Sequence, residues 1–172
     1  MNYCGECGNR LIMRDHGIDG DIPYCTDCRK FRYPPFNSAV SAIILNPHKD
    51  KILLIQQYGK TNNVLVAGYI AKGENARQAL VREINEETGL EVKEYIYNDN
   101  EYYEKTNTLV HNYVVVSTGE KLTLNSEVDR ADWFELSEVH GTVASQTSSG
   151  YFLKKAFKDI IYNLDTQKFY QF

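Results

Sequence analysis

From Arg82 to Glu87 the chain reads Arg-Glu-Ile-Asn-Glu-Glu, and three carboxylates this close together constrain the fold more than any other feature. The apolar residues Ala76, Ala79, Leu80 and Ile84 recur at three- and four-residue spacing, which predicts a helix over 75–88. Gly89 is its natural C-terminal stop. On such a helix Glu83 lies four residues from Glu87 and three from Glu86, so all three approach one edge. Like charges at this spacing cost helix stability unless something neutralises them. A solvated acidic face is the ordinary meaning of a glutamate cluster taken alone. A hard divalent cation is the other solution, since carboxylate oxygens suit Mg²⁺ or Mn²⁺ shared with a phosphate-bearing ligand.

The wider pattern decides between them. Gly68, five residues, Glu74 and seven residues precede Arg82-Glu83-Ile84-Asn85-Glu86-Glu87-Thr88-Gly89-Leu90. Seven fixed positions, each at about one residue in twenty, match by chance roughly once in a billion starts. The segment is identified as a Nudix box, G-x5-E-x7-R-E-U-x-E-E-x-G-U with U aliphatic, and a looser resemblance to Nudix hydrolases extends over about residues 38–165. The resemblance implies a strand–loop–helix within an α/β/α sandwich and attack of water on a phosphorus of a pyrophosphate bridge. It implies Glu83 and Glu87 as direct Mg²⁺ or Mn²⁺ ligands, with Glu86 as ligand or general base. Arg82, one turn before Glu86, is placed to orient that carboxylate. Glu74 precedes the helix and fixes the loop. Gly68 permits close backbone approach, and the Ala67 carbonyl before it completes the metal shell in relatives. The family often takes its general base or a further metal ligand from outside the box, and Glu127 is the candidate; a solvated loop carboxylate is the alternative reading.

All 4 cysteines fall within Cys4-x2-Cys7 and Cys25-x2-Cys28, the spacing of a four-thiolate Zn²⁺ site. The opening residues lack a basic stretch followed by an apolar one, so a cytoplasmic location is expected, where disulfides are disfavoured. Four thiolates complete a tetrahedron, so the zinc is expected to be structural and His16 is not needed as a ligand. We therefore expect a zinc ribbon over 1–35, closed by Tyr33-Pro34-Pro35, and a catalytic domain over 36–172.

A zinc ribbon followed by the box resembles the NADH pyrophosphatase branch of the Nudix family. That resemblance implies cleavage of NAD(H) to a mononucleotide and AMP, NAD-capped RNA as a substrate of some members, and a homodimer. The branch's Ser-Gln-Pro-Trp-Pro-Phe-Pro signature is missing. Its place holds Asn100-Glu101-Tyr102-Tyr103-Glu104-Lys105-Thr106, where Tyr102 or Tyr103 offers a ring to a base, although strand packing is the commoner role for tyrosine.

Two further readings stay open. One is a housecleaning (d)NTP pyrophosphatase with the same box. The other is a nucleotide-sensing or RNA-binding module, in which Arg10, Arg14, Arg29, Lys30 and Arg32 interleave with Tyr24, Phe31 and Tyr33. Sensors of this fold commonly lose box glutamates, whereas Glu83, Glu86 and Glu87 are all present, so an enzyme is preferred. The net charge of −4 supplies no general attraction for nucleic acid. No apolar run approaches the roughly 20 residues of a membrane span, so no membrane partner is expected.

The fold class expected is α/β, a mixed sheet with a helix on each side. Strands are predicted over 39–45, 51–58, 64–70, 91–103, 108–118 and 131–136. A closing helix capped by Ser149 would carry Phe152, Ala156, Ile160 and Leu164 on one stripe. Residues 166–172 have no assignment.

Overall fold

The structure, a computed structural model, describes residues 2–172 except the side chain of residue 140, and it divides into two compact units, Met1–Phe36 and Asn37–Phe172. The first unit is an antiparallel sheet in the order β1 (Ile12–Asp15), β2 (Asp21–Cys25), β3 (Lys30–Phe31). Each cysteine pair sits in a tight turn. The Gly8 N–H donates to the Cys4 carbonyl at 2.9 Å, and the Cys28 N–H points at Cys25 Sγ at 3.4 Å. The residue after each pair is left-handed: Gly8 at φ 75° and Arg29 at φ 55°. Among the described residues of this unit only Cys4, Ile22 and Cys25 are buried. Units this small with so little buried apolar material are ordinarily stabilised by a metal or disulfide as well.

The second unit is built on one long strand, β4 (Asn37–Leu45). After it come β5 (Lys51–Gln57), β6 (Val66–Tyr69), helix α1 (Ala76–Thr88), β7 (Val92–Tyr103), β8 (Thr108–Ser117), β9 (Val128–Glu135), helix α2 (Ser148–Asp159) and β10 (Tyr170–Gln171). The seven-stranded sheet runs β10-β7-β8-β4-β5-β9, with β6 also paired to β4. Along its whole length β4 lies parallel to β8; the other pairings are antiparallel. The free edge of β4 is divided. Ala39–Ala42 pair with β6, while Ile44 and Leu45 pair with β5. The sheet therefore forks.

Period-two alternation sorts the side chains to two faces. Val40, Ala42, Ile44, Leu53, Ile55, Tyr113 and Val115 pack against Ala79, Leu80 and Ile84 of α1. Ile43, Leu45, Ile52, Leu54, Val114 and Val116 pack against Phe152, Leu153, Ala156 and Phe157 of α2. Each fully buried Val, Leu, Ile or Phe among them contributes about 1.5–3 kcal/mol. This is the helix–sheet–helix sandwich expected from the sequence. No helix among the described residues is long and apolar enough to cross a membrane.

Helix α1 begins at Asn75, whose side chain accepts from the Gln78 N–H while Gln78 reaches back to the Asn75 N–H, each at 3.0 Å. This reciprocal cap satisfies two otherwise orphaned donors. It ends at Gly89, left-handed at φ 71°, where an added Cβ would also meet the Thr123 side chain at 2.8 Å.

Two local expectations are corrected. Helix α2 is capped by Thr147, whose side chain accepts from the Gly150 N–H; Ser149 instead accepts from the Leu65 N–H at 3.2 Å. The helix stops at Asp159, so Leu164 lies in 3₁₀ turns over Ile161–Thr166 and not on the helical stripe. The unassigned C-terminal stretch forms edge strand β10, with Gln171 donating to Glu94 at 3.0 Å and the Phe172 ring 4.5 Å from that of Tyr95.

Replacing Asn75 with Ala is expected to cost about 1 kcal/mol by loss of the cap. Urea unfolding followed by far-UV circular dichroism measures it, and an unchanged midpoint refutes the capping role.

Candidate functional site

Where the sheet forks, a cleft of about 640 Å³ opens beside α1. Its wall includes Ala67 and Gly68 of β6, Arg82, Glu83, Glu86 and Glu87 of α1, Tyr58 after β5, and Asn125 and Glu127 before β9. Tyr103, Thr108 and Val110 line it further along.

The helix reaches β6 at Gly68. A Cβ there would lie 1.9 Å from the Glu83 carboxylate carbon, so any residue but glycine would expel Glu83. The acid is then held from the other side by Arg82, whose Nη1 is 2.7 Å from Glu83 Oε1 and 3.1 Å from Glu86 Oε2. The same guanidinium grips Glu74 through two bonds of 2.9 Å and donates to the Tyr69 carbonyl at 3.0 Å. Such a planar fork imposes geometry as well as charge. Arg82 and the Ala71 N–H draw the Glu74 carboxyl down to about 2. Glu74 thus spans loop and helix, and Arg82 joins it to two box acids.

Glu87 is in a different state. Only 3% exposed, it lies beneath the cleft with Oε2 buried and without a hydrogen-bond partner. Burial, then the charges of Glu83, Glu127 and Glu86, push its carboxyl up to about 7, opposed by the side chain of Gln57. An orphaned buried carboxylate oxygen among three further acids is the donor set a hard cation would satisfy. Glu127 faces this group from the far wall, its N–H fixed by Asn125 Oδ1 at 2.9 Å and its Oε2 3.3 Å from the Tyr58 hydroxyl.

The structure thus brings Gly68, Glu74, Arg82, Glu83, Glu86, Glu87 and Glu127 together, with Ala67 lining the same cleft. Of the two tyrosines, Tyr103 lines the cleft, while the Tyr102 hydroxyl donates to Asn107. Sequence reasoning missed Gln57, Tyr58 and Asn125. Asn125 had a legible signal, because Asn two residues before an acid commonly turns the chain on itself. Tyr58 and Gln57 had none, since they look like the end of a strand.

In the first unit the four sulfurs lie within 4.8 Å of one another, with Cys4–Cys28 at 3.8 Å and Cys7–Cys25 at 3.4 Å. A tetrahedral zinc with Zn–S bonds of about 2.3 Å implies sulfur separations of about 3.8 Å. The residues fit a closed site. Of the basic side chains nearby, Arg32 pairs with Glu6 at 2.8 Å, Lys30 with Glu6 at 3.5 Å, and Arg14 lies 4.5 Å over the Tyr24 ring.

Comparison with known proteins agrees with this geometry. The model of the NUDIX domain matches residues 35–154, well over half of the chain. The chain belongs to the Nudix family. Among Nudix relatives, the NAD-capped RNA hydrolase NudC of Pseudomonas aeruginosa is 33% identical over 138 residues, which cover 78% of this chain and 48% of that protein. The NudC of Vibrio parahaemolyticus is 23% identical over 165 residues, 94% of this chain and 61% of that protein. The chain thus spans about half the length of the curated relatives it matches. A Nudix hydrolase structure from Nitrosomonas europaea superposes with a TM-score of 0.72 at 18% identity, covering 95% of this chain and 94% of the other.

The unfolded Glu87 carboxyl titrates near 4.5 and the folded one near 7, so the folded chain holds the proton more tightly. Between those values unfolding releases a proton, and rising pH destabilises the fold. Without added Mg²⁺ or Mn²⁺, the melting temperature of the wild type should fall relative to Glu87→Gln as pH rises from 4.5 to 7. Parallel curves for the two proteins would remove this account of Glu87.

Proposed function

We propose that the chain is a divalent-metal-dependent pyrophosphohydrolase acting on a nucleoside diphosphate linked to another group, with an NAD(H)- or ADP-ribose-like dinucleotide as its substrate. The observation that carries the reading is the buried Glu87 carboxylate, its Oε2 without a partner, beside Glu83 and Glu86 on the same helix and opposite Glu127 in an open cleft. The relatives named for hydrolysis of NAD-capped RNA support the dinucleotide as the substrate class.

Bound Mg²⁺ or Mn²⁺ would offset charge on the pyrophosphate and make water a better nucleophile. Glu83 and Glu87 would hold the ion, and Glu86 and Glu127 remain the acids able to complete its shell or to take the proton from water. Arg82 keeps Glu83 and Glu86 at fixed bearings, so no side-chain rearrangement is needed at the moment of reaction. Water adds to one phosphorus, the bridging oxygen leaves with the other, and NAD(H) would yield AMP and a mononucleotide. Tyr103, at the cleft's far end, offers a ring face for a base. The cysteine unit is read as a structural Zn²⁺ ribbon.

Glu87→Gln should fold normally and lower metal-dependent turnover by at least about 100-fold. The assay is hydrolysis of NADH, ADP-ribose and a dNTP panel with Mg²⁺ and Mn²⁺. Wild-type rates in the variant would remove the catalytic assignment. AMP release from NADH supports the dinucleotide; pyrophosphate from a dNTP alone would favour the housecleaning alternative. Metal analysis should find one zinc per chain, lost in Cys25→Ser, and a wild type without zinc would end the ribbon reading.

A further inference from the structure

The turn after β5 holds Tyr58 at φ 58° and Gly59 at φ 69°. The left-handed region is unfavourable for a residue with a Cβ, and a bulky aromatic there requires a compensating interaction. Apolar packing does not provide one, because Tyr58 is 68% exposed. Two polar contacts do. The Tyr58 hydroxyl donates to Glu127 Oε2 at 3.3 Å, and the Gly59 N–H donates to Asp129 Oδ2 at 2.7 Å. The register between β5 and β9 slips between Gln56 and Gln57, which frees the turn from the ladder and re-aims it. Two consecutive residues therefore each reach a different carboxylate. Among the described residues, Tyr58 is the one side chain hydrogen-bonded to the Glu127 carboxylate.

We propose that Tyr58 is a positioning residue of the cleft: its hydroxyl sets the bearing of Glu127, and its left-handed backbone carries Gly59 to Asp129. The strain at Tyr58 is offset by these two bonds, which tie the turn to Glu127 and Asp129 at the start of β9. The outer acid is thereby kept facing the box acids and not rotated into solvent. The proposal rests on the reading of the cleft as a metal-dependent hydrolase site, but its first test does not require turnover.

That test is binding of Mn²⁺ alone, followed by the paramagnetic resonance of the free ion. Tyr58→Phe keeps the ring and removes the hydroxyl, and it should weaken Mn²⁺ binding or lower kcat by about tenfold, the effect typical of losing an outer hydrogen bond to a metal ligand. KM should stay within about twofold, because the ring that lines the cleft is unchanged. In a Glu127→Gln background the same change should have no further effect, as expected when one residue acts through another. Tyr58→Gly should raise the melting temperature by relieving the left-handed strain, and still lower Mn²⁺ affinity. A merely structural tyrosine would not separate the two. Wild-type Mn²⁺ affinity and kcat in Tyr58→Phe, or full additivity with Glu127→Gln, would overturn the proposal. Tyr58-dependent Mn²⁺ binding in a protein that cleaves no dinucleotide would uphold it and overturn the substrate reading instead.

Discussion

A Cβ at position 68 would lie 1.9 Å from the Glu83 carboxylate carbon, so α1 can rest against β6 with its acids inward only because Gly68 has none. The geometry of the cleft in the second unit depends on this close approach. It sets the depth at which the helix sits, and so which glutamates are buried. Glu83 is clamped between backbone and Arg82, Glu87 falls beneath the cleft, and Glu86 remains at its rim. A helix shifted outward by one side-chain layer would leave all three in solvent, where they would bind a cation weakly.

Holding these acids together is unfavourable without compensation, and the chain divides the compensation between two devices. Arg82 neutralises the upper part of the cluster and is itself locked to Glu74 by a two-bond fork. Glu87 is instead buried with no partner for Oε2, and burial makes it hold its proton to about 7. The first device is complete within the chain. The second is an unsatisfied demand, which a divalent ion would meet. This asymmetry distinguishes the cluster from an ordinary acidic surface, where every carboxylate would find water or a lysine.

Much of this was legible before any coordinates. The spacing of Ala76, Ala79, Leu80 and Ile84 places α1 within a residue of its bounds, and Gly89 ends it, because glycine enters the left-handed turn of a helix stop without a Cβ penalty. The alternating strands were found, but with shifted ends, since pairing partners and not local propensity decide where a ladder stops. Val64 is a single bridge to Ile55, so the third strand begins only at Val66. Thr147 and Ser149 are equally good caps by composition. The choice fell to Thr147 because Ser149 is occupied by the Leu65 N–H, a contact distant in sequence. The C-terminal strand was invisible because two residues of edge pairing leave no periodic pattern.

What the sequence determined by itself is the chemistry that stays within one element or one turn. The box acids share a helical edge because 3.6 residues make a turn, and the cysteine pairs form knuckles because their spacing is short. Tertiary structure alone decided what the divided edge of β4 creates. By sending β5 and β6 apart, it opens the cleft, buries Glu87 and brings Glu127 opposite the box from some 40 residues away. It also turned Tyr58 left-handed and set its hydroxyl on Glu127. Local pattern carries no record of such contacts, because their energy arises only when distant segments meet.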